Sequence, residues 1–330
     1  MSAVTARPSP IIGDLIKLAA VAFAGLAALV VFPNDLGLMT RIVSSAFLVV
    51  SLDLVTGYAG IATLGQAALF GIGAYAAANA NLAGLREPIL MVAVGGLAGA
   101  VAGLIFGAVV LRSRGLAQLV LTIALVQLVH EAANKLSDIT GGSDGLSGID
   151  VAPILGTFRF DLYGRTGFIF ALVLLLATLA VLSVIVRSPF GLKLRAIGRD
   201  PGRVRTLGAA VMPARLVTFT LSGAVAGMGG AIEAISAGVV GLDGVSFERS
   251  AMALVMLVLG GSGSLYGAVA GTAAFMGLES IISTANPFHW LIIVGVLLIV
   301  VVLFAPRGQT SLAGDVRRLL VVFGLKREKR

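Results

Sequence analysis

The sequence predicts an all-α fold: a polytopic transmembrane helical bundle of about 8–10 spans, with short segments that are interrupted by glycine. Three observations support this prediction. Of the 330 residues, 58% are hydrophobic and 12% are charged, against about 25% charged in soluble domains. The mean hydropathy is +1.04, and several apolar runs reach the ~20 residues that cross a bilayer as a helix. Glycine accounts for 43 residues, which is typical of helices that pack closely in lipid.

The apolar runs predict ten candidate spans. The first follows basic residues, as in a signal peptide, but no small-residue cleavage site comes after it, so we predict an uncleaved span. Two candidates are short, and the shorter has 12 residues, which rise about 18 Å against the ~30 Å hydrocarbon core. The candidates are 15–32, 41–56, 60–82, 88–111, 116–133, 167–186, 214–240, 250–261, 264–283 and 288–305.

A basic segment at 187–215 predicts the orientation of the bundle. It carries seven basic residues and one acid, and the tail at 307–330 carries seven and two. Such clusters lie on the cytoplasmic side, whereas the more acidic segment 134–166 is expected outside. An even number of crossings must then separate the basic segment from the tail, so 250–261 has to cross. Ten crossings with both termini in the cytoplasm satisfy these charges, and eight or nine with a re-entrant segment stay open.

Glycines spaced four residues apart predict close contacts between helices, because small residues at i and i+4 let two backbones approach. Two other glycine clusters, 57–65 and 260–267, are uncharged and lie between short spans. Broken helices at membrane depth either line a cavity or are buried in protein, so each cluster forms part of a pathway or a close-packed elbow. The spaced glycines are Gly95, Gly99, Gly103 and Gly107, then Gly223 and Gly227, and Gly267 and Gly271.

Several kinds of chemistry lack the residues they need. The chain has no Cys, which excludes disulfides and thiolate nucleophiles. No Lys-Ser or Lys-Thr follows the glycines of GGSGSLYG (260–267), so we expect no ATP hydrolysis by this chain. The two histidines, His130 and His289, form no metal-binding motif, and we expect no metal or cofactor. The net charge of +8 lies mainly in the two basic clusters, which membrane topology explains without nucleic acid.

Acidic side chains within the predicted spans are candidates for a polar pathway. An acid at the centre of a spanning helix costs about 2.5–3.5 kcal/mol on insertion scales, so it normally faces the bundle interior or water. For Asp53 and Glu279, contact with a polar solute and a structural hydrogen bond both stay open. Gln66 accompanies Asp53 beside the first glycine cluster. Glu233 lies near the outer end of its span, which favours a structural role.

Five motifs, in order along the chain, resemble one family. SLDLVTGYAGIATLGQAALFGIGAYAAA (51–78) resembles the signature of bacterial inner-membrane permeases of ATP-binding-cassette (ABC) importers for branched-chain amino acids. The length and the extended 134–166 segment are similar to the larger, LivM type of these permeases. The remaining motifs are TGGSDGLSGI (140–149), RSPFGLKLRAIGRDPGRVRTLG (187–208), GGSGSLYGAVAGT (260–272) and LFAPRG (303–308).

The resemblance implies a single transmembrane permease domain over 1–330, with a cytoplasmic coupling loop at 187–215 and a basic cytoplasmic tail at 307–330. Such a permease forms the path for branched-chain or related amino acids and is not itself an enzyme. Its implied partners are two cytoplasmic ABC ATPases, a second permease subunit that is a paralogue, a periplasmic solute-binding protein and the surrounding membrane lipid.

The resemblance also selects candidate site residues. Pro189 suits the first turn of a helix that projects from the bilayer to an ATPase, because a missing N–H is tolerated there. Leu192, Leu194 and Ile197 are candidate apolar anchors of that helix. The translocation-path candidates are Asp53, Gly57, Tyr58, Gly60, Gln66, Gly261, Gly263 and Glu279. The ATPase-coupling candidates are Ser188, Pro189, Phe190, Gly191, Leu194, Arg195, Ala196, Ile197 and Gly208.

Departures from the family pattern leave the solute open. Asp53 stands where the family often has Asn, Gln66 where it often has His, and Ala268 where it usually has Pro. Urea or short amides, other amino acids and an aromatic-derived acid therefore stay possible solutes. Two other functions stay open as well: a self-sufficient channel or secondary transporter, and a membrane enzyme, each of which would act without partner chains.

Overall fold

The computed structural model describes residues 10–33, 35–154, 164–285 and 295. Over these residues the chain is an α-helical bundle with one short antiparallel ladder, which confirms the predicted fold class. The predicted span 288–305, the motif at 303–308 and the tail 307–330 lie outside the described residues apart from residue 295. The helices are α1 (Pro10–Val31), α2 (Leu36–Asp53), α3 (Gln66–Leu82), α4 (Pro88–Val110), α5 (Leu116–Lys135), α6 (Ser137–Thr140), α7 (Arg165–Arg187), α8 (Pro189–Arg199), α9 (Pro201–Thr206), α10 (Val211–Ala237), α11 (Phe247–Gly260) and α12 (Leu265–Ala285).

Seven of the described helices are long and apolar enough to cross a membrane. The prediction of a short span at 41–56 was wrong, because a π-helical turn at Leu54–Tyr58 extends α2 into a continuous 23-residue span, Leu36–Tyr58. The predicted start of the next span at residue 60 was also wrong, since residues 60–65 are not helical and α3 begins at Gln66. Helix α11 has 14 residues, which rise about 21 Å, so it stays shorter than the hydrocarbon core, as predicted.

Helices α2 and α10 occupy the centre of the bundle. Helix α10 packs against α4, α3 and α2, and α2 also contacts α7, α11 and α12. The contact between α4 and α10 depends on glycine: a methyl group on Gly99 would lie 2.9 Å from the Cα atom of Gly227, and one on Gly103 would lie 2.6 Å from the carbonyl oxygen of Phe219. The prediction that the spaced glycines allow close helix packing is therefore confirmed for this pair of helices.

The two ends of the bundle differ. At the first end, strands β1 (Leu146–Ser147) and β2 (Val239–Val240) pair antiparallel and join the loops that follow α5 and α10; we call this the ladder end. At the other end, α7 leads into the basic helices α8 and α9; we call this the basic end.

The turn between α11 and α12 lies at the basic end. Arg187, at the end of α7, forms an ion pair with Asp14 of α1. The Tyr266 hydroxyl, in the first turn of α12, donates a hydrogen bond to the Asp14 carbonyl oxygen at 3.4 Å. Helix α12 therefore begins beside the last turn of α7 and runs toward the ladder end.

Candidate functional site

Helix α8 begins at Pro189, as the sequence predicts. Ser188 precedes it in an extended conformation, and proline in the first turn loses no hydrogen bond because that N–H has no intrahelical partner. Gly191 is needed where α8 leaves α7, since any side chain there would collide with the Val186 backbone. The helix stops at Asp200, whose carboxylate accepts a hydrogen bond from the Arg203 N–H at 3.1 Å and so starts α9.

The two faces of α8 have different surroundings. Leu194 and Ile197 are buried, with 2% and 0% of their surface exposed, and belong to an apolar cluster with Val55 and Ile61. The opposite face is open, and Leu192 is 61% exposed. The structure therefore places two of the three predicted apolar anchors against the chain's own spans. The exposed residues of α8 are Pro189, Leu192, Arg195, Ala196, Gly198 and Arg199.

Helix α8 touches the first glycine cluster through the backbone. A methyl group on Gly198 would lie 2.8 Å from the Tyr58 carbonyl oxygen, and one on Gly60 would lie 2.7 Å from the Gly198 Cα atom. Gly60 has φ +65°, which favours glycine. The Arg195 guanidinium also lies 5.1 Å from the centroid of the Tyr58 ring, within the range of a cation–π contact.

The first glycine cluster in turn touches the second. The Oδ1 atom of Asp53, which is fully buried, accepts a hydrogen bond from the Gly263 N–H at 2.6 Å. Gly57 lies against the same backbone nitrogen, with no room for a side chain. Gly261 and Gly263 have φ of +89° and +82°, so glycine suits both positions of this turn. Gly57 and Gly260 thus lie in close backbone contacts, whereas Gly60 and Gly263 keep exposed surface, and the Asp53 carboxylate is hydrogen-bonded between the two elbows.

The start of α12 supplies the hydrogen-bond donor that Asp53 Oδ1 meets. Ser264 Oγ accepts a hydrogen bond from the Gly267 N–H at 3.2 Å, as an N-cap residue does. Asp53 Oδ1 accepts its hydrogen bond from the N–H of Gly263, the residue that precedes this N-cap. A carboxylate at a helix N-terminus is stabilised by the unpaired N–H groups and by the helix dipole.

Gln66 belongs to a separate polar cluster. Its Oε1 atom accepts hydrogen bonds from Ser51 Oγ at 3.3 Å and from Ser222 Oγ at 3.2 Å, so α3 begins beside the last turn of α2 and the middle of α10. Side-chain hydroxyls satisfy backbone groups around this start: the Ala67 N–H donates to Ser250 Oγ at 3.1 Å. Sequence reasoning missed these serines, whose signal is a small polar residue within an apolar span.

Glu279 lies away from the elbows, beside a cavity of about 450 Å³ between α2, α11 and α12. Arg41, Glu248 and Arg249 also line this cavity, and the sequence reasoning had not singled them out. Arg41 and Arg249 both lie near the first turn of their helices. A basic residue at such a position in a membrane protein is ordinarily attributed to the membrane–water interface, so the sequence alone does not mark it as part of a site.

The structure thus divides the predicted path residues into three groups. The first is the pair of elbows at Asp53, Gly57, Tyr58, Gly60, Gly261 and Gly263; the second is Gln66 with its serines; and the third is the cavity beside Glu279. Over the described part of the chain, no group of three His, Cys, Asp or Glu side chains is arranged to hold a metal ion.

Comparison with known proteins assigns the family. The family model described as branched-chain amino acid transport system / permease component matches residues 35–302. The high-affinity branched-chain amino acid transport system permease protein LivM of Salmonella typhimurium (strain LT2) is 28% identical over 295 residues, covering 83% of this chain and 69% of that protein. LivM of Escherichia coli (strain K12) is 28% identical over 278 residues, covering 78% of this chain and 65% of that protein.

The autoinducer 2 import system permease protein LsrC of Shigella flexneri is 30% identical over 142 residues, covering 41% of this chain and 42% of that protein. The chain thus spans about two thirds of the length of the two LivM relatives. No solved structure gives a significant match. With the family model matched over most of its length and seven long apolar helices, this multi-pass membrane protein belongs to the family of permease components of branched-chain amino acid transport systems.

Proposed function

We propose that the chain is the permease subunit of an ABC importer and forms part of the path for branched-chain or related amino acids. Family membership supports the permease role, and the LivM relatives support the solute class. The observation that carries the proposal is the docking of α8, which ties an exposed basic helix to both glycine elbows. The proposed partners are two cytoplasmic ABC ATPases, a second permease subunit that is a paralogue, and a periplasmic solute-binding protein.

The two faces of α8 suit the transmission of movement. Leu194 and Ile197 fasten the helix to the permease, so a force applied to the outward face around Leu192 and Ala196 reaches the spans. The close contact of Gly198 with Tyr58 leaves no compressible side chain between α8 and the π-helical turn. An ATPase that moves α8 would therefore move the first elbow directly.

The hydrogen bond from Gly263 to Asp53 extends this route to the second elbow. Movement of the π-helical turn would shift the start of α12, and with it the cavity that α12 lines. We assign Asp53 and Gly57 to this linkage, rather than to the wall of an open channel, because Asp53 is buried and Gly57 has no room for a side chain against the Gly263 nitrogen. Gln66 and its serines form a buried polar cluster between the last turn of α2 and the middle of α10, and we assign them to the path as polar groups inside the bundle.

The charge pattern supports an orientation. We assign the basic end, with 187–215 and the tail 307–330, to the cytoplasm and the ladder end to the outside. Both termini are then cytoplasmic, and residues 1–330 form a single transmembrane permease domain. The orientation places α8 where cytoplasmic ATPases can reach it, and places the cavity beside Glu279 toward the side from which an importer takes its solute.

Co-purification with the ATPases tests the docking of partners on α8. Leu192→Asp places a charge on the open face, and we expect it to abolish co-purification while membrane insertion persists, because Leu192 makes little contact within the chain. The matched control is Leu82→Asp, at the far end of α3, where the leucine is 50% exposed. Equal recovery of the ATPases with both variants would contradict a docking role for α8.

Flux measurements separate an importer from a channel or secondary transporter. Proteoliposomes that hold the complete complex should take up L-leucine only with ATP and the loaded binding protein. Steady flux through the purified chain alone, without ATP, would refute the importer and favour a self-sufficient carrier. Urea and short amides belong in the same assay, since Asp53 and Gln66 depart from the family pattern.

A further inference from the structure

The cavity between α2, α11 and α12 presents charges of both signs beside an apolar surface. It has a volume of about 450 Å³, in the range of small-molecule sites. Asp243, Glu248 and Arg41 are exposed at its edge, and Glu279 is half-buried. Because α12 starts at the basic end and Glu279 lies 14 residues further on, about 21 Å along the helix, the cavity lies toward the ladder end.

One side of the cavity is held rigid. The Arg249 guanidinium makes two hydrogen bonds to the Glu233 carboxylate, one of them 2.7 Å long, and lies 4.4 Å from the centroid of the Phe70 ring. Ser44 Oγ donates to the same carboxylate at 2.9 Å. Arg249 is therefore already neutralised and oriented, and it forms part of the wall rather than a free recognition group.

Arg41 is then the basic group of the lining that remains for recognition, and Glu279 is its half-buried acid, since Asp243 and Glu248 are exposed at the edge. In the described part of the chain, neither the Arg41 nor the Glu279 side chain takes part in an ion pair within 4.0 Å. A guanidinium and a carboxylate that face one space are the complements of a carboxylate and an ammonium group on one solute.

Four serines also line the cavity, and the apolar part of its lining is adaptable. Met252, Met256 and Met276 line the cavity together with Leu38 and Leu48. Methionine side chains are flexible and polarisable, and they accommodate apolar groups of varied shape. The cavity therefore combines a charged pair at one part with an apolar surface at another.

We propose that this cavity is an entry site for a zwitterionic solute with an apolar tail, in which Arg41 binds the carboxylate, Glu279 binds the ammonium group and the methionines contact the tail. The inference rests on the proposed import function, because it names the class of solute and the residues that recognise it. It predicts that a solute with only one of the two charges binds the cavity more weakly than a solute with both.

The test uses the full chain in lipid nanodiscs and three probes that share one tail: L-leucine, 4-methylpentanoate, which lacks the ammonium group, and 3-methylbutylamine, which lacks the carboxylate. Saturation-transfer NMR, with empty nanodiscs subtracted, reports weak binding of each. We expect L-leucine to bind the wild-type chain about tenfold more tightly than either analogue, the effect of one charge-assisted hydrogen bond.

The variants should then give a crossed pattern. In Arg41→Gln, the affinity for L-leucine should fall to the affinity for 3-methylbutylamine. In Glu279→Gln, it should fall to the affinity for 4-methylpentanoate. The controls Arg86→Gln and Glu131→Gln change exposed charges outside the cavity and should keep the wild-type preferences. A wild-type chain that does not prefer L-leucine to both analogues would overturn the proposal, as would preferences that persist in both cavity variants.

This binding assay needs no ATPase. If L-leucine fails to bind while ATP-dependent uptake by the complete complex is retained, the entry site is refuted and the importer stands. If binding shows the crossed pattern while uptake proves independent of ATP, the site stands and the importer is refuted.

Discussion

Replacing Gly198 by alanine tests whether α8 transmits movement through direct backbone contact. The added methyl group would lie 2.8 Å from the Tyr58 carbonyl oxygen and 3.3 Å from the Gly60 nitrogen. Carbon and oxygen atoms that are not bonded rarely approach within about 3.3 Å, so α8 must move away by roughly 0.5 Å. Because both partners are backbone atoms, no side chain can rotate to relieve the overlap.

The magnitude follows from two opposing effects. Overpacking of this kind costs about 1–3 kcal/mol, whereas exchanging glycine for alanine in a helix gains up to about 1 kcal/mol. The contact between α8 and the π-helical turn therefore weakens by about 1 kcal/mol. Coupling free energies between sites are typically 1–3 kcal/mol, so this loss removes a third or more of the coupling, about a fivefold effect.

The assay compares ATP hydrolysis by the complete complex with and without the loaded binding protein. We expect Gly198→Ala to lower the stimulation about fivefold while co-purification with the ATPases persists, because the open face of α8 is unchanged. The matched control is Gly202→Ala in α9, where the added methyl group would meet only the flexible Asp200 side chain at 3.2 Å. Wild-type stimulation in Gly198→Ala would refute transmission through this contact, as would an equal loss in both variants.

Two further predictions concern the acids within the spans. Asp53→Asn should keep the thermal stability of wild type and an uptake rate within about twofold of it, because the amide oxygen still accepts a hydrogen bond from the Gly263 N–H. Asp53→Ala should instead destabilise the protein by about 1–3 kcal/mol. An altered solute preference in Asp53→Asn would assign Asp53 to solute contact. Glu233→Gln should lower the stability by about 3 kcal/mol, since it leaves Arg249 only 20% exposed and without its counter-ion; a melting temperature equal to that of Glu131→Gln would contradict this.

Hydropathy predicted the helices better than it predicted the breaks between them. The predicted spans 88–111, 116–133 and 167–186 agree with α4, α5 and α7 to within about two residues. Residues 60–65 are just as apolar, yet they are not helical, because the Leu64 N–H donates to Thr122 Oγ1 at 3.1 Å rather than to a carbonyl group of its own helix. Such partners come from distant spans, which periodicity along one segment cannot reveal.

The glycine clusters likewise depend on contacts between distant segments that the sequence pattern does not reveal. Their composition indicated either a pathway or a close-packed elbow, and the backbone that faces each glycine cannot be read from one segment of sequence. Gly57 lies against the nitrogen of Gly263, more than 200 residues further along the chain, and Gly60 against Gly198. Similarly, Arg41 and Glu279 gain their significance only when α2 and α12 become neighbours around one cavity.

The geometry of α8 decides which residues of the basic segment can meet a partner. At 100° per residue, Leu194 and Ile197 lie about 60° apart on one face, whereas Leu192 lies about 160° from Leu194. The first two are buried against the spans and fix the rotation of the helix about its axis. Leu192 must then point away, together with Ala196 and Arg199, which follow it at helical spacing. A partner that binds the open face of α8 therefore contacts an apolar centre at Leu192 and Ala196 and a basic edge at Arg199. Loss of Leu194 would release the helix from the permease, whereas loss of Leu192 would release only the partner.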